Sequence, residues 1–395
     1  MKVFVLNCGS SSIKYQLIDM DNESLLAKGS IERVGEKNAY LKHTTIGKQP
    51  IEFTGAIFNH KDGVQKVLEV MVDKERGVIK SMAEINAVGH RVVHGGERFS
   101  ESVLITDEVL QGIEACSEMA PLHNPANIIG IRACQELMPT TPQVAVFDTA
   151  FHQTMGKEAF LFALPYEYYK KYGLRRYGFH GTSHRYVASQ IAKMLGKKAE
   201  DLKIISCHLG NGASVCAIKN GKSVDTSMGY TPLDGLVMGT RCGEVDPAVI
   251  PFLMNKEHLD CQGIDELMNR KSGVLGISGF SSDFRDLAEE ALKGNEKCQL
   301  AINVFVHRVK KYIGAYAAVM GGVDVIVFTA GVGENRCDIR KLVCQGLEYL
   351  GTKLDLEKNK VRSEDVEISV AGSKVKLWVI ATNEELVIAR DTLQI

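Results

Sequence analysis

Two arginines and one aspartate of the sequence have the chemistry to bind an anionic substrate. Arg91 precedes His94-Gly95-Gly96 and Arg241 lies in "LVMGTRCGEVDP", so each guanidinium could project from a tight turn into a cleft. The planar fork of a guanidinium fits carboxylate and phosphate oxygens, and a surface ion pair is the alternative for each arginine. Asp148 ends the apolar run of "VAVFDTAFH", where α/β enzymes often place functional carboxylates, and an N-cap is its alternative. These residues indicate a site that recognises a carboxylate or a phosphate.

A small-residue loop offers a second kind of anion site. Residues 3–19, "VFVLNCGSSSIKYQLID", contain β-prone or alternating apolar residues at both ends, which predicts two strands. In the loop between them, residues 7–12, glycine permits close backbone approach, N–H groups and serine hydroxyls can donate to phosphate, and Lys14 adds a positive charge. An ordinary hairpin loop with solvated serines is the alternative.

The pattern recurs later in the chain. Residues 203–218, "KIISCHLGNGASVCAI", again predict strand, glycine-rich loop and strand, and "KNGKSV" leads into a further strand. The recurrence predicts duplicated halves that face one another across a cleft, each offering a loop to one end of a polyphosphate. A third apolar run, "VDVIVFTAGVGEN" at 323–335, ends in Gly331-Val332-Gly333, which suits a nucleotide lying across strand ends of an α/β sheet.

Several familiar motifs are excluded by spacing. "NGKS" at 220–223 lacks the earlier glycine of a Walker A loop, residues 331–336 lack the third glycine of a dinucleotide fingerprint, and HExxH is absent. His90 and His94, and likewise His180 and His184, are spaced as metal pairs on a helix would be. The first pair lies in a strand-like stretch and the second beside Gly181 and a cap, so we expect neither pair to share a helical face.

Composition excludes several classes of partner. The 395 residues are 45% hydrophobic and 24% charged with a net charge of -1, which favours two ordinary globular cores and no global attraction to nucleic acid or anionic membranes. The basic group Lys170, Lys171, Arg175 and Arg176 is interpreted as a solvated helix end. Neither a signal-peptide core nor a membrane span is evident, and ten cysteines without CxxC spacing fit reduced thiols of a cytoplasmic protein.

Helical periodicity between the strands completes an α/β prediction. A helix over 183–195 is expected to begin at Thr182 or Ser183 and to end at Gly196. After the third loop, helical spacing is shown by Ile339, Leu342, Val343, Leu347 and Leu350. The spacing of the two loop units predicts an N-terminal domain over 1–150 and a nucleotide-binding domain over 151–384, with residues 385–395 returning to the first domain.

Taken together, these stretches resemble the acetate kinase family along essentially the whole chain. The resemblance rests on long motifs in the same order: "LNCGSSSIKY", "GHRVVHGGERF", "PLHNPANI", "FDTAFHQTM", "RRYGFHGTSHRYV", "CHLGNGASVCAI", "DTSMGYTPLDGLVMGTRCGEVDP", "SSDFRD", "FTAGVGEN" and "ATNEE". It implies a duplicated actin-like (ribonuclease H-like) two-domain fold with a nucleotide cleft between the domains. It also implies reversible, magnesium-dependent phosphoryl transfer from ATP to acetate, with manganese as a possible substitute, in a homodimer.

The resemblance further implies a role for each matching residue. Asp148 matches the catalytic carboxylate, and His180 and Arg241 match stabilisers of the transition state. The acetate pocket is implied at Arg91, Val93, Leu122 and Pro232, and magnesium binding at Asn7 and Glu384. The implied nucleotide site is Lys14, His208, Leu209, Gly210, Asn211, Gly212, Asp283, Phe284, Arg285, Gly331, Val332, Gly333, Glu334 and Asn335.

Asp148 is interpreted as an orienting group because a carboxylate substrate is already ionised at neutral pH and needs no base. We expect it to orient Arg91 or a magnesium-bound water. The alternatives for the whole protein are a propionate or butyrate kinase of the same family, a sugar kinase, and a non-enzymatic ATP-gated interaction protein. The apolar pocket argues against a sugar, and the residues implied around an acceptor site argue against a protein without catalytic activity.

Overall fold

The computed structural model describes residues 1–121 and 123–395. They form two compact units: unit 1 comprises Met1–Phe151 with Asn383–Ile395, and unit 2 comprises His152–Thr382. In the described residues, no helix combines the length and apolar character that crossing a membrane requires.

Strands and helices alternate as in an α/β protein. The strands are β1 Lys2–Cys8, β2 Ser12–Asp19, β3 Ser24–Glu32, β4 Ala39–Thr45, β5 Ile51–Gly55, β6 Ala87–Val92, β7 Val103–Leu104, β8 Gln143–Phe147, β9 Lys203–Leu209, β10 Ala213–Lys219, β11 Lys222–Thr226, β12 Val325–Thr329, β13 Val366–Glu367 and β14 Lys376–Val379. The helices are α1 His60–Met71, α2 Asp107–Ala115, α3 Asn124–Leu137, α4 Lys157–Phe160, α5 Tyr166–Tyr172, α6 Gly181–Leu195, α7 Val249–Glu257, α8 Cys261–Arg270, α9 Gly273–Ser278, α10 Phe284–Leu292, α11 Glu296–Met320, α12 Ala330–Asn335, α13 Cys337–Cys344 and α14 Glu384–Gln394. Single 3₁₀ turns occur at Met82–Glu84, Ala150–Thr154, Ala199–Asp201, Glu348–Leu350 and Lys358–Lys360.

The two sheets share one topology, which confirms the predicted repeat. Unit 1 has the strand order β5-β4-β3-β2-β1-β6-β8-β7, and unit 2 has β11-β10-β9-β12-β14-β13. In each, three consecutive antiparallel strands are followed by two strands that run parallel to the first of the three. Both glycine-rich loops therefore join the first and second strands of a repeat: Gly9–Ser11 in unit 1 and Gly210–Gly212 in unit 2.

Strand β1 is buried on both faces because helices cover both sides of its sheet. Phe4 and Leu6 belong to a core cluster that includes residues of α1 and α3, whereas Val3 and Val5 belong to a cluster that includes residues of α14. This double burial explains why "VFVL" is continuously apolar. It also fixes the strand end from which the loop emerges.

Three sequence-based helix expectations need correction. Helix α6 begins at Gly181, and its N-cap is His180, not Thr182 or Ser183; its C-cap is Gly196, as expected. The predicted strand, loop and helix after residue 323 also differ: Gly331, Val332 and Gly333 lie in the short helix α12, which follows β12 directly. The next helix, α13, ends at Cys344, and Leu350 lies in a separate 3₁₀ turn. The basic group is only partly a solvated helix end, since Arg175 is buried with its guanidinium carbon 3.6 Å from the ring centroid of Phe160.

Candidate active site

In unit 1, the predicted residues gather where β1 and β6 end. These parallel strands pair up to Leu6 and His90, and the next residues along each strand are Asn7 and Arg91. Asn7 also lies directly opposite Lys14 in the antiparallel pair of β1 and β2. Opposite residues of such a pair place their side chains on the same face of the sheet, so Asn7 and Lys14 share a face.

Arg91 and Asp148 form a two-point ion pair within unit 1. Nε of Arg91 donates to Oδ1 of Asp148 at 2.9 Å, and Nη2 donates to Oδ2 at 2.6 Å. The Asp148 side chain is 2% exposed and that of Arg91 is 23% exposed, so one end of the pair is buried while the guanidinium still reaches solvent. Burial alone would lower the pKa of Arg91, but the facing carboxylate of Asp148 raises it, and the net result is a raised pKa. The arginine thus remains charged and is held in one orientation.

Glu384, the first residue of α14, is close enough to this pair to sense its charges. Burial raises the pKa of Glu384 to about 7, with smaller contributions that lower it from Arg91 and raise it from Asp148. Asn383 caps α14 by accepting a hydrogen bond from the N–H of Leu386 at 3.1 Å. The helix N-terminus therefore places Glu384 beside the ends of β6 and β8.

The implied methyl pocket is described only in part. Val93 is buried just after the end of β6. Leu122 lies outside the described residues. Pro232 belongs to unit 2, where its carbonyl oxygen accepts a hydrogen bond from Nη1 of Arg241 at 3.3 Å.

Unit 2 holds a compact group of histidines around the start of α6. His180 has φ of 56°, in the left-handed region, and its ring is stacked on that of His208 with centroids 4.1 Å apart. Nδ1 of His180 lies 2.9 Å from Oγ of Ser214, and Nε2 of His184 lies 2.8 Å from the same oxygen. Ser183 Oγ in turn lies 2.8 Å from Nδ1 of His208. These contacts hold the rings of His180 and His208 in fixed orientations.

His180 and His184 both lie within hydrogen-bond distance of Oγ of Ser214, but His180 is the N-cap and lies outside α6, so the two do not share a helical face, as expected. His90 and His94 do not share a helical face either, since β6 ends at Val92 and His94 lies beyond it. Within the described part of the chain, no group of three or more His, Cys, Asp or Glu side chains is arranged to hold a metal ion.

Arg241 and His180 both approach Gly212 of the second glycine-rich loop. A Cβ at Gly212 would lie 3.5 Å from Nη1 of Arg241 and 3.6 Å from Nε2 of His180. Burial lowers the pKa of Arg241, and no carboxylate contributes to that shift. Unit 2 thus presents a guanidinium and an imidazole nitrogen over a glycine, and among the described residues no carboxylate contributes to the pKa shift of the guanidinium.

A cavity of about 890 Å³ lies next to this loop in unit 2. Eight residues of the implied nucleotide site line it: Gly210, Asn211, Asp283, Phe284, Arg285, Gly331, Val332 and Asn335. Asp283 is also the N-cap of α10 and accepts from the N–H of Arg285 at 2.8 Å. The "GNG", "SDFR" and "GVGEN" motifs, far apart in the sequence, therefore enclose one space.

Some implied nucleotide residues do not line that cavity. His208, Leu209, Gly212, Gly333 and Glu334 are outside its lining, and Lys14 belongs to unit 1. The buried carboxylate of Glu334 accepts hydrogen bonds from the backbone N–H groups of Ala330 at 2.8 Å and Thr382 at 3.1 Å. In this arrangement Glu334 joins the first residue of α12 to the backbone at Thr382.

Sequence reasoning missed six residues of the lining: Ser282, Ala288, Glu289, Leu292, Arg336 and Arg362. Ser282 and Arg336 adjoin recognised motifs, and the helical spacing of Ala288, Glu289 and Leu292 after Asp283 could have indicated them. Arg362 has no local signal, because its place depends on how the chain returns after α13.

Comparisons with known proteins agree with these features. The sequence profile of the acetokinase family matches residues 2–390. An acetate kinase of Dictyoglomus turgidum is 59% identical over 395 residues, covering 100% of this chain and 98% of the relative. The crystal structure of Porphyromonas gingivalis acetate kinase has a TM-score of 0.95 at 50% identity, covering 100% of this chain and 99% of that one. A propionate kinase from Francisella tularensis has a TM-score of 0.94 at 43% identity with the same coverage. The predicted fold class is therefore confirmed, and this chain belongs to the acetokinase family.

Proposed function

We propose that this protein is an acetate kinase, which transfers the γ-phosphoryl group of ATP reversibly to acetate to form acetyl phosphate and ADP. The observation that carries the proposal is the family membership of the whole chain together with its two differently placed arginines. Arg91, ion-paired with buried Asp148, is suited to hold a small carboxylate in one orientation. Arg241, which is not ion-paired with a carboxylate among the described residues, is suited to a phosphoryl group.

The chemical step is an in-line displacement. A carboxylate oxygen of acetate attacks the γ-phosphorus, a new oxygen–phosphorus bond forms, and the bond to the bridging oxygen of ADP breaks. Charge spreads over the three equatorial oxygens in the transition state, so preorganised donors account for most of the catalysis. We assign that role to Arg241 and His180, and the orientation of Arg91 to Asp148, because no proton has to leave an ionised carboxylate.

We assign magnesium to Asn7 and Glu384 on the family resemblance, and the chemistry of their donor atoms fits this ion. An amide oxygen and a carboxylate are the hard oxygen ligands that Mg²⁺ prefers, and one or two protein ligands suffice where substrate phosphates complete the coordination. When bound, the ion would neutralise charge on the phosphate oxygens; Mn²⁺ could substitute. Lys14, opposite Asn7, supplies a further positive charge on the same face of the sheet.

The remaining assignments follow from family membership and composition. Val93, Leu122 and Pro232 are assigned to the methyl group of acetate, and the cavity of unit 2 to ATP or ADP. All ten cysteines are free thiols, which supports a reducing, cytoplasmic location. We assign a homodimeric state on the family resemblance, which light scattering coupled to size-exclusion chromatography would test.

A propionate kinase is the second candidate, because a structure of that name is similar over the full chain. One methylene in an apolar pocket changes the free energy of binding by only about 1–3 kcal/mol. The preference between acetate and propionate must therefore be measured. ADP formation from ATP and Mg²⁺ should be followed with acetate, propionate, butyrate and glycerol in parallel, with hydroxylamine present to trap any acyl phosphate. A trapped product that is strongest with acetate supports the proposal. Preference for a longer acid keeps the mechanism and changes the substrate, and turnover without trapped product overturns both.

A further inference from the structure

One buried amide joins the two functional segments of unit 1. Asn127 lies in the first turn of α3 and is 3% exposed. Its Nδ2 donates to the carbonyl oxygen of Cys8 at 2.7 Å, and its Oδ1 accepts from the N–H of Val93 at 3.1 Å. A backbone N–H can only donate and a carbonyl can only accept, so these two partners fix the orientation of the amide.

The side-chain amide of Asn127 bonds to backbone groups just beyond the last paired residues of β1 and β6. The parallel ladder of β1 and β6 ends at Leu6 and His90, two residues before Cys8 and three before Val93. Both Cys8 and Val93 are buried, so their backbone groups require partners away from water. Asn127 supplies a donor to one and an acceptor to the other.

We propose that Asn127 is a positioning residue that ties the end of β1 at Cys8, where the loop Gly9–Ser11 begins, to the strand end at Val93. The inference rests on the proposed function, in which Asn7 at the end of β1 holds magnesium, the loop contacts phosphate and Val93 contacts the acetate methyl group. It also gives a role to the "PLHNPANI" motif, whose asparagines had none.

Two neighbouring side chains each support one of these segments. On the loop side, Nε2 of His60 lies 2.6 Å from the carbonyl oxygen of Gly9. On the strand side, Asn124 accepts from the N–H of His94 at 3.1 Å and donates to its carbonyl oxygen at 3.0 Å. Asn127 alone among these three side chains bonds to both the loop and the strand end.

Two isosteric substitutions separate the two halves of the bridge. Asn127→Asp keeps an acceptor for Val93 but places a second oxygen against the carbonyl of Cys8, so only the loop should be released. Asn127→Leu removes both bonds. Since supporting partners of a metal site typically contribute 10- to 100-fold, we expect kcat to fall by about that factor in both variants. The KM for acetate should rise by about tenfold only in Asn127→Leu.

The experiment compares both variants with the unsubstituted full-length protein. Steady-state kinetics give kcat, the KM for acetate and the magnesium concentration for half-maximal rate. Hydrogen–deuterium exchange without ligands reports the Val93 amide, which should exchange faster in Asn127→Leu and stay protected in Asn127→Asp. That second measurement needs neither metal nor activity.

Thr45→Val is the matched control. Thr45 is also buried in unit 1, and its hydroxyl donates to the carbonyl oxygen of Arg76 at 2.8 Å, far along the chain from either strand end. It should lower the unfolding temperature without changing kcat or KM. The proposal is overturned if either Asn127 variant keeps unsubstituted kinetics, or if Thr45→Val loses as much activity. If Asn127→Asp does not fold, the kinetics of Asn127→Leu and the exchange rate of its Val93 amide test the proposal. A failure of the proposed function would instead show as absent acyl phosphate in the unsubstituted protein.

Discussion

The two arginines that the sequence singled out are held in opposite ways. In unit 1, both Nε and Nη2 of Arg91 donate to the buried carboxylate of Asp148. In unit 2, Arg241 donates to a neutral carbonyl oxygen, that of Pro232, and burial lowers its pKa, with no carboxylate among the described residues to oppose that shift. Both guanidiniums carry a positive charge, but only that of Arg91 is compensated and held rigidly by a facing carboxylate.

This difference suits the two arginines to different roles: Arg91 to orienting a bound carboxylate, and Arg241 to stabilising negative charge. A two-point ion pair holds a side chain in place and offers its remaining donors to a partner of fixed geometry. A partly buried guanidinium without a counter-ion interacts most strongly with negative charge that arrives or develops beside it. We therefore expect Arg91 to govern the binding of acetate and Arg241 the rate of transfer, and the following predictions can break that division.

The largest effect is expected from Arg241→Ala. Loss of a preorganised donor to the transition state should lower kcat about 100- to 1,000-fold with a much smaller change in the KM for acetate. The measurement is steady-state ADP formation. Arg270→Ala, at an exposed arginine in the last turn of α8, is the control and should leave kcat unchanged. A near-normal kcat in Arg241→Ala would show that Arg241 does not stabilise the transition state.

The second prediction concerns the ion pair of unit 1. Because Asp148 is proposed to act through Arg91, the two alanine substitutions should be strongly non-additive. We expect kcat/KM for acetate to fall about 100-fold in Arg91→Ala and about 10- to 100-fold in Asp148→Ala. The double variant should lie within about threefold of Arg91→Ala. If the losses multiply instead, Asp148 has a separate role in the reaction.

Gly212→Ala tests the space in front of Arg241 and His180. The added Cβ would contact Nη1 of Arg241 and Nε2 of His180 at 3.5 and 3.6 Å, so it should occupy room that a substrate oxygen needs without disturbing the fold. We expect kcat to fall about tenfold with an unchanged unfolding temperature. Gly314→Ala in α11, whose Cβ would lie 3.4 Å from Oη of Tyr349, is the control. Full activity in Gly212→Ala would show that nothing needs this space.

The last prediction concerns stability, not activity, and should hold in both units. Burial lowers the pKa of His43 in unit 1, and that of His152 in unit 2, to about 4 from the ordinary 6.5. The unfolded chain therefore binds more protons between these values, so stability is complete above pH 6.5 and is lost as pH falls towards 4. The expected loss is about 3 kcal/mol for each histidine.

Unfolding by urea at a series of pH values measures this dependence. His43→Gln and His152→Gln should each flatten the curve between pH 6.5 and 4. A variant whose stability keeps the full acid dependence would show that its histidine does not titrate in this range.

Features set by interactions between residues close in the chain could be predicted from the sequence, whereas features set by contacts between distant residues could not. Strands β1, β2, β9, β10 and β12 and the glycine-rich loops after β1 and β9 were predicted because apolar patterning and glycine conformations act over a few residues. The loop predicted after β12 was wrong, since its glycines lie in helix α12. The predicted N-cap of α6 was wrong because His180 itself takes that position, in a left-handed conformation that its contacts with Ser214 and His208 support. The bidentate pairing of Arg91 with Asp148 joins residues 57 positions apart, and no local pattern specifies its geometry.

By itself, the sequence determined the repeated strand–loop–strand units, the family and the residue types available for anion chemistry. Only the tertiary structure decided which arginine is ion-paired, which residues line the cavity of unit 2, and that Asn127 supplies hydrogen bonds to Cys8 and Val93 beyond the end of the sheet ladder. The physical reason is that residue type sets which charges and donors exist, whereas pairing and burial depend on groups that are distant in the chain and meet only after folding.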